Sequence, residues 1–146
     1  MIDVIVEIDP DISGIDEKKS INILQSTLKR EQINHAKINL IFANDTLLNN
    51  LKVKYFQMDH LTDVIAFRIN DYKYSEIEGE IYISLERAID NAKTYSQKIS
   101  KELARLIIHG TLHLLNYKDN TDNDKLIMTE IEDKYLNDFD WRKLYI

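Results

Sequence analysis

The sequence is 146 residues long, a length that one domain accommodates, and its 25 acidic and 19 basic residues give a net charge of −6. This acidic balance argues against a protein that coats nucleic acid by bulk electrostatics, although it allows local contact by an enzyme that holds a metal cation. Because there is no cysteine, disulfides and thiolate metal sites are excluded, and any metal must be held by histidine nitrogen and carboxylate oxygen.

The chain has few glycine and proline residues that would interrupt it, and it has no candidate membrane segment. Three glycines, one proline at Pro10, and no repeat or low-complexity linker predict a single domain over residues 1–146. No apolar run is long enough to span a bilayer, and the first residues have neither a basic start nor an apolar segment ending in small residues. We therefore expect a cytoplasmic protein without a membrane partner.

The first half of the chain predicts alternating strands and helices. Four strands are expected where aliphatic and β-branched residues predominate: 2–8, 36–43, 63–69 and 79–85. Ser13 and Asp16 stand at capping-box spacing before a first amphipathic helix, and Asn44 or Asp45 can cap a short second one. The polar and aromatic stretch 70–78 has no periodicity and is expected to be a loop.

The second half is predicted to be helical from residue 86 onward. Its segment 96–116 begins polar and becomes almost wholly apolar on every side, which is typical of a buried helix. Thr121 and Asp124 have capping-box spacing before a closing helix, whose expected apolar stripe comprises Leu126, Ile127, Glu130, Ile131 and Tyr135. Strands followed by helices predict an α+β layer fold with about four strands and about five helices.

The predicted buried helix carries two histidines, His109 and His113, which project from one face one turn apart. A single histidine in a core usually has a hydrogen-bond partner. Two histidines on one apolar helix face each need a partner to offset the cost of desolvation, and one shared metal ion would serve both. Gly110 indicates close approach of either a packed strand or a substrate. A pair of hydrogen-bonded core histidines remains the alternative to a metal site.

A third ligand is offered by Asp119, because Asn116 tolerates the left-handed conformation that ends helices and lets the chain turn back. His109, His113 and Asp119 would form a site with an open position for water, which suits zinc and also other divalent cations. The spacing mirrors that of the metzincin peptidases, but Gly110 stands where their general-base glutamate is found. A metallopeptidase is therefore the weakest functional hypothesis.

The stretch HGTLHLLNYKD (109–119) resembles the signature of the YbeY family, metal-dependent endoribonucleases implicated in ribosomal RNA maturation, whose usual form is H-G-x-L-H-L-x-G-Y-D-H. Asn116 replaces the usual glycine, and Asp119 replaces the usual third histidine ligand. Three more segments are similar to family motifs in the same order: TDVIAF (62–67), GEIYIS (79–84) and MTEIEDKYL (128–136). The likeness covers the chain from about residue 36 onward.

The resemblance implies a zincin-like metal-hydrolase domain, in which a small mixed sheet packs with helices and the ligand helix is central. It implies one Zn²⁺ per chain, or another divalent cation, held by His109, His113 and Asp119. It also implies a single-strand-specific endoribonuclease for ribosomal RNA or its precursor, with ribosomal proteins as further partners, in which activated water attacks the phosphodiester. The general base stays open between Asp63, Glu80 and the activated water itself.

One departure from the family concerns positive charge. Family members often have an arginine after the tyrosine upstream of the TDV motif, whereas Phe56 follows Tyr55 here. Arg68 is a candidate replacement, and the alternative is that it is simply an exposed residue at the end of a strand.

A rival hypothesis is a ribosome-associated assembly factor whose metal is mainly structural. It is favoured by the acidic net charge, by Phe56, and by Gly110 at the position where a general-base glutamate would be expected. Tyr72 or Tyr74 could stack on an unpaired base, although packing is commoner for such rings.

Overall fold

The strands and helices follow one another along the chain in the predicted order. The computed structural model describes residues 1–146 and has four strands: β1 Ile2–Ile8, β2 Ala36–Ala43, β3 Val64–Arg68 and β4 Ile77–Ser84. Its five helices are α1 Glu17–Arg30, α2 Asp45–Phe56, α3 Leu85–Thr94, α4 Ile99–Leu114 and α5 Asp122–Asp138. The predicted α+β class is confirmed. No helix is both long enough and apolar enough to cross a membrane.

The four strands form one mixed sheet in the order β1-β2-β4-β3. β1, β2 and β4 are parallel, and β3 is an antiparallel edge strand paired with β4. Side chains alternate between the two faces of a strand. In β4, Gly79 and Ile81 face α4, so that Glu80 lies on the opposite face of the sheet.

Helix α4 lies on the sheet and is enclosed by other elements. It packs against β3 and β4 and contacts α1, α3 and α5. Its side chains Leu103, Leu106, Ile107 and Ile108 are almost completely buried, which confirms the predicted buried helix. A Cβ atom at Gly110 would lie 2.7 Å from Ile81 Cγ2, so glycine at this position lets the helix lie directly on the sheet.

Of the three predicted N-terminal helix caps, two are found in the structure as predicted. Asn44 caps α2 by accepting a hydrogen bond from the Leu47 amide, and Thr121 caps α5 by accepting one from the Asp124 amide. The predicted pairing of Ser13 with Asp16 is wrong: Asp16 itself is the N-cap and accepts a hydrogen bond from the Lys19 amide at 3.0 Å. An isolated β-bridge between Ile15 and Tyr145 lies just before this cap.

The buried face of α5 also differs from the prediction. The helix buries Met128, Glu132, Tyr135 and Leu136, whereas Leu126 and Ile127 are exposed. The physical reason is that Glu132 is buried because its carboxylate binds Arg105 and His109 on α4. The predicted apolar stripe did not include Glu132. The predicted loop 70–78 is shorter than expected, because β4 already begins at Ile77.

Candidate metal centre

His109 and His113 lie near the carboxyl end of α4 with their Nε2 atoms 3.0 Å apart. The helix has Leu115 as its C-cap, and Asn116 adopts the predicted left-handed conformation with φ of 73°. The chain then turns back, so that Asp119 Oδ2 lies 3.5 Å from His109 Nε2 and 3.4 Å from His113 Nε2. The structure thus brings the three predicted ligands together.

The hydrogen bonds on the far side of each imidazole fix which nitrogen carries the proton. His113 Nδ1 lies 2.9 Å from the carbonyl oxygen of Tyr117, which can only accept, so Nδ1–H is the donor. His109 Nδ1 lies 2.6 Å from a carboxylate oxygen of Glu132 in the same way. In neutral rings both Nε2 atoms therefore present lone pairs to each other and to the Asp119 carboxylate. Only a proton or a cation between these atoms relieves the repulsion.

The spacing of the ligand atoms fits a tetrahedral ion. Ligands about 2.0–2.1 Å from a tetrahedral zinc ion are about 3.3 Å from one another. The three distances of 3.0, 3.4 and 3.5 Å are close to that edge length. Two nitrogens and one oxygen, without sulfur, suit zinc and other divalent cations of similar hardness, and three protein ligands leave a fourth position open.

His113 is in the protonation state that metal binding requires. Burial lowers the pKa of His113, and the neighbouring His109 lowers the same pKa further, against weaker opposing effects from Asp119 and the Tyr117 carbonyl. The ring is therefore neutral at pH 7, and its Nε2 is free to coordinate.

Glu132 is a site residue whose role the sequence did not reveal. Its side chain is only 4% exposed, and it links His109 on α4 to Arg105, whose Nη1 lies 3.5 Å from the second Glu132 oxygen. Arg105 also donates two hydrogen bonds of 2.7 Å to Glu102, and these raise the pKa of the guanidinium further above its usual value. The sequence held one signal for its burial. Glu132 follows Met128 by four residues, so the two side chains share one face of α5, and Met128 is buried.

A pocket of about 490 Å³ opens in front of the three ligands. We call it the metal pocket; it is lined by Lys52, Phe56, residues 62–66, Tyr72, His109, His113 and residues 116–120. Its walls are therefore the edge strand β3, the end of α2 and the turn after α4. The two histidines that line it are partly buried, with side-chain exposures of 17% for His109 and 28% for His113.

Of the two candidate general-base side chains, only Asp63 reaches the metal pocket. Its Oδ2 accepts a hydrogen bond from Asn91 Nδ2 at 3.0 Å and lies 3.9 Å from Arg105 Nη2. Glu80 instead accepts a hydrogen bond from the Tyr82 hydroxyl on the face of the sheet opposite α4. The sheet therefore separates Glu80 from the ligands.

Arg68, the candidate replacement for the arginine absent at position 56, does not line the metal pocket. Its guanidinium donates to the carbonyl oxygen of Leu114 at 2.8 Å and to three loop carbonyls at 3.1 Å: those of Asp71, Tyr74 and Glu76. Its Nε donates to the side-chain oxygen of Asn70. These contacts use donors of the guanidinium to fasten the loop before β4 to the end of α4, which argues against the candidate role in phosphate binding.

The two loop tyrosines have different positions. Tyr72 is half exposed and lines both the metal pocket and a neighbouring pocket, whereas Tyr74 lines only the neighbouring one. Tyr72 also covers the Arg68 guanidinium at 5.0 Å from its ring centroid. Base stacking on Tyr72 or Tyr74 stays a prediction, and Tyr72 is the ring that reaches the metal pocket.

The chain is similar to known proteins over most of its length. The family model described as Endoribonuclease YbeY matches residues 9–140. The Endoribonuclease YbeY of Flavobacterium psychrophilum is 41% identical over 140 residues, which are 95% of this chain and 96% of the relative. That of Amoebophilus asiaticus is 41% identical over 113 residues, which are 77% of this chain and 76% of the relative.

A solved structure has a similar fold. The solution structure of TM1509 from Thermotoga maritima superimposes with a TM-score of 0.61 at 26% sequence identity. The similarity covers 94% of this chain and 87% of that one. Likeness in sequence and in fold thus extends over the sheet, the helix that carries the two histidines and the turn that carries Asp119.

Proposed function

This chain belongs to the YbeY family of endoribonucleases, and we propose that it cleaves single-stranded RNA with one divalent cation held by His109, His113 and Asp119. The observation that carries this proposal is the convergence of two imidazole lone pairs and a carboxylate on the lining of the metal pocket. The proposed ion is zinc, because the ligand atoms have tetrahedral spacing. His109, His113 and Asp119 would hold a divalent cation that would lower the pKa of a water molecule and polarise a phosphoryl oxygen.

Other residues of the site orient the two imidazoles and accept the proton. Glu132 and the Tyr117 carbonyl hold the two imidazoles so that both Nε2 atoms face the pocket. Asp63 is the proposed proton acceptor, since Asn91 and Arg105 engage its Oδ2 and leave Oδ1 without a protein partner. Gly110 faces Ile81 on the sheet, so the position of the metzincin glutamate does not reach the pocket, and peptidase chemistry of that type has no base.

The depth of the ligands supports a single-stranded substrate. A phosphodiester must enter the metal pocket to meet partly buried histidines, which a flexible single strand can do more readily than a stiff duplex. The relatives are named endoribonucleases, which makes RNA the substrate class. The family resemblance implies ribosomal RNA or its precursor, and we propose this substrate, with ribosomal proteins as neighbours in the cytoplasm.

The rival hypothesis, an assembly factor with a mainly structural metal, is less well supported. Asp119 lies in a turn outside the helices with a side chain that is 41% exposed, whereas the helices and sheet are joined by an apolar core of 23 buried residues. Because that core forms without a cation, the metal is not needed to hold the fold together.

The decisive experiment measures metal content and RNA cleavage together. Protein without a histidine tag is analysed for metal per chain by elemental mass spectrometry, and then incubated with a single-stranded RNA and a duplex of the same sequence. We expect about one zinc per chain and cleavage of the single strand only. Asp119→Ala should lose both metal and cleavage, whereas Asp122→Ala, an exposed neighbour on α5, should keep both. Cleavage by metal-free protein would refute the proposal.

A further inference from the structure

The metal pocket contains few positive charges that are free to meet RNA phosphates. The two arginines nearby, Arg105 and Arg68, do not line it; Arg105 is paired with carboxylates of Glu102 and Glu132, and Arg68 with backbone carbonyls. Two lysines remain among the lining residues, Lys52 and Lys118. Neither forms an ion pair with a carboxylate.

Lys52 is held in place, whereas Lys118 is not. Lys52 and Phe56 lie one turn apart on α2, and the Lys52 ammonium lies 4.8 Å from the centroid of the Phe56 ring. Phe56 in turn stacks on Phe67 of β3 with ring centroids 5.9 Å apart and an interplanar angle of 18°. The ammonium group is therefore tied through one aromatic ring to the edge strand that forms a wall of the pocket. Lys118 is an exposed residue of the turn and has no such contact.

The pocket also needs such a charge for electrostatic reasons. Asp63 and Asp119 are carboxylates that line it, and a strand of RNA brings several phosphates to the same region. A cation held by the three ligands would meet one phosphate, so that the neighbouring phosphates of the strand would need other positive groups. The Lys52 ammonium, which belongs to a residue lining the same pocket, can neutralise one of them.

We propose that Lys52 binds a phosphate next to the one that is cut, and that Phe56 positions its ammonium group. The inference rests on the proposed function, since it assigns a phosphate subsite to the same pocket. Lys52 contacts substrate in this proposal, and Phe56 acts through Lys52. An anchored lysine of this kind loses less conformational freedom on binding than a free one, which favours it over Lys118.

The test compares Lys52→Ala with Lys54→Ala in the zinc-loaded protein. Lys54 is on the same helix, and its ammonium covers Tyr55 at 5.2 Å, but it does not line the pocket. Binding of a fluorescent single-stranded RNA is measured by anisotropy over a range of salt concentrations, and the same samples are run on a denaturing gel. Binding and cleavage are thus read separately.

Loss of one phosphate contact lowers the slope of log affinity against log salt by about 0.7 and weakens binding about fivefold at 0.1 M salt. We expect this change for Lys52→Ala, and neither effect for Lys54→Ala. Lys52→Arg should keep the wild-type slope. Lys52→Ala combined with Phe56→Arg should restore it, because residue 56 is one turn further along the same face. A variant that is merely misfolded would not be rescued in this way.

The outcomes separate this inference from the proposed function. An unchanged slope in Lys52→Ala, or the same loss in Lys118→Ala alone, would overturn the assignment to Lys52. Wild-type protein that binds no RNA would overturn both. Binding that depends on Lys52 without cleavage on the gel would support the phosphate subsite and contradict the endoribonuclease proposal.

Discussion

Each imidazole of the metal centre depends on a partner that lies outside the pocket. His113 donates to a backbone carbonyl in its own turn, whereas His109 donates to Glu132, a side chain of another helix. A carboxylate behind a coordinating histidine fixes the ring orientation and makes the far nitrogen a better ligand. The metal affinity of the two histidines is therefore open to separate experimental tests.

Glu132→Gln should weaken zinc binding roughly tenfold to a hundredfold, the usual range for loss of a carboxylate behind a ligating histidine. Zinc affinity is measured by competition with a chromogenic chelator. Glu130→Gln, two residues earlier on the exposed side of α5, is the matched control and should bind as the wild type does. Equal affinity in both variants would show that His109 needs no carboxylate.

The pH dependence of zinc binding follows from the lowered pKa of His113. Protonation of Nε2 competes with the cation, and because burial and His109 lower this pKa below its ordinary 6.5, the neutral ring persists to a lower pH. We expect zinc affinity to be constant above about pH 6.5 and to fall only below it. Calorimetric titration between pH 5 and 8 checks this, and affinity that falls already between pH 8 and 7 would contradict it.

At the level of secondary structure, Gly110 sets the distance between α4 and the sheet. The Cβ atom of an alanine here would lie 2.7 Å from Ile81 Cγ2 and 3.3 Å from Val64 Cγ2. Ile81 is fully buried and β-branched, so its methyl group cannot easily move aside. Alanine would therefore push the helix, with both histidines, away from the strands.

Gly110→Ala should destabilise the protein by about 1–3 kcal/mol, the usual cost of overpacking, even after the gain in helix propensity is included. Urea denaturation monitored by circular dichroism gives the free energy of unfolding. Stability equal to or above that of the wild type would show that Ile81 and Val64 repack without strain.

The same elements show what the sequence could predict and what it could not. The bounds of β1 and β2 were predicted correctly, because the alternation of side chains in a strand is a local pattern. The face of α5 was not, because burial of Glu132 depends on partners on α4 that are distant in sequence. The contacts of Arg68 could not be predicted for a similar reason, since its acceptors are backbone carbonyls, which no side-chain pattern reports.

The three ligands themselves could be predicted because their geometry is local. One helical turn separates the histidines, and one left-handed residue, Asn116, returns the chain to them within six residues of His113. The choice between packing and substrate contact at Gly110 needed the structure, since only the position of β4 decides it.

For the whole molecule, the large apolar core predicts that the fold survives removal of the cation. Residues from α1, α4, α5 and the sheet meet in this core without any contribution from the three ligands. That residues 1–146 form a single domain stays a prediction, for which one cooperative unfolding transition is the expected signature.

Chelation with EDTA should abolish RNA cleavage while leaving the far-ultraviolet circular dichroism spectrum unchanged. Zinc at a hundred times its Kd adds about 2.7 kcal/mol to the folded state, so the melting temperature should drop by several degrees on chelation, in one transition. Unfolding of the chelated protein at 25 °C would instead favour the structural-metal hypothesis.

The turn that carries Asp119 has a consequence for how the protein acquires its cation. Two ligands lie on a helix that is fixed before any ion arrives, and the third lies on a half-exposed turn that can be the last to close and the first to open. We therefore expect exchange of the cation with solvent to depend on the turn and to leave α4 closed. Because histidine and carboxylate ligands bind several divalent metals, the ion carried in a cell follows the supply of metals there as well as the affinity of the site.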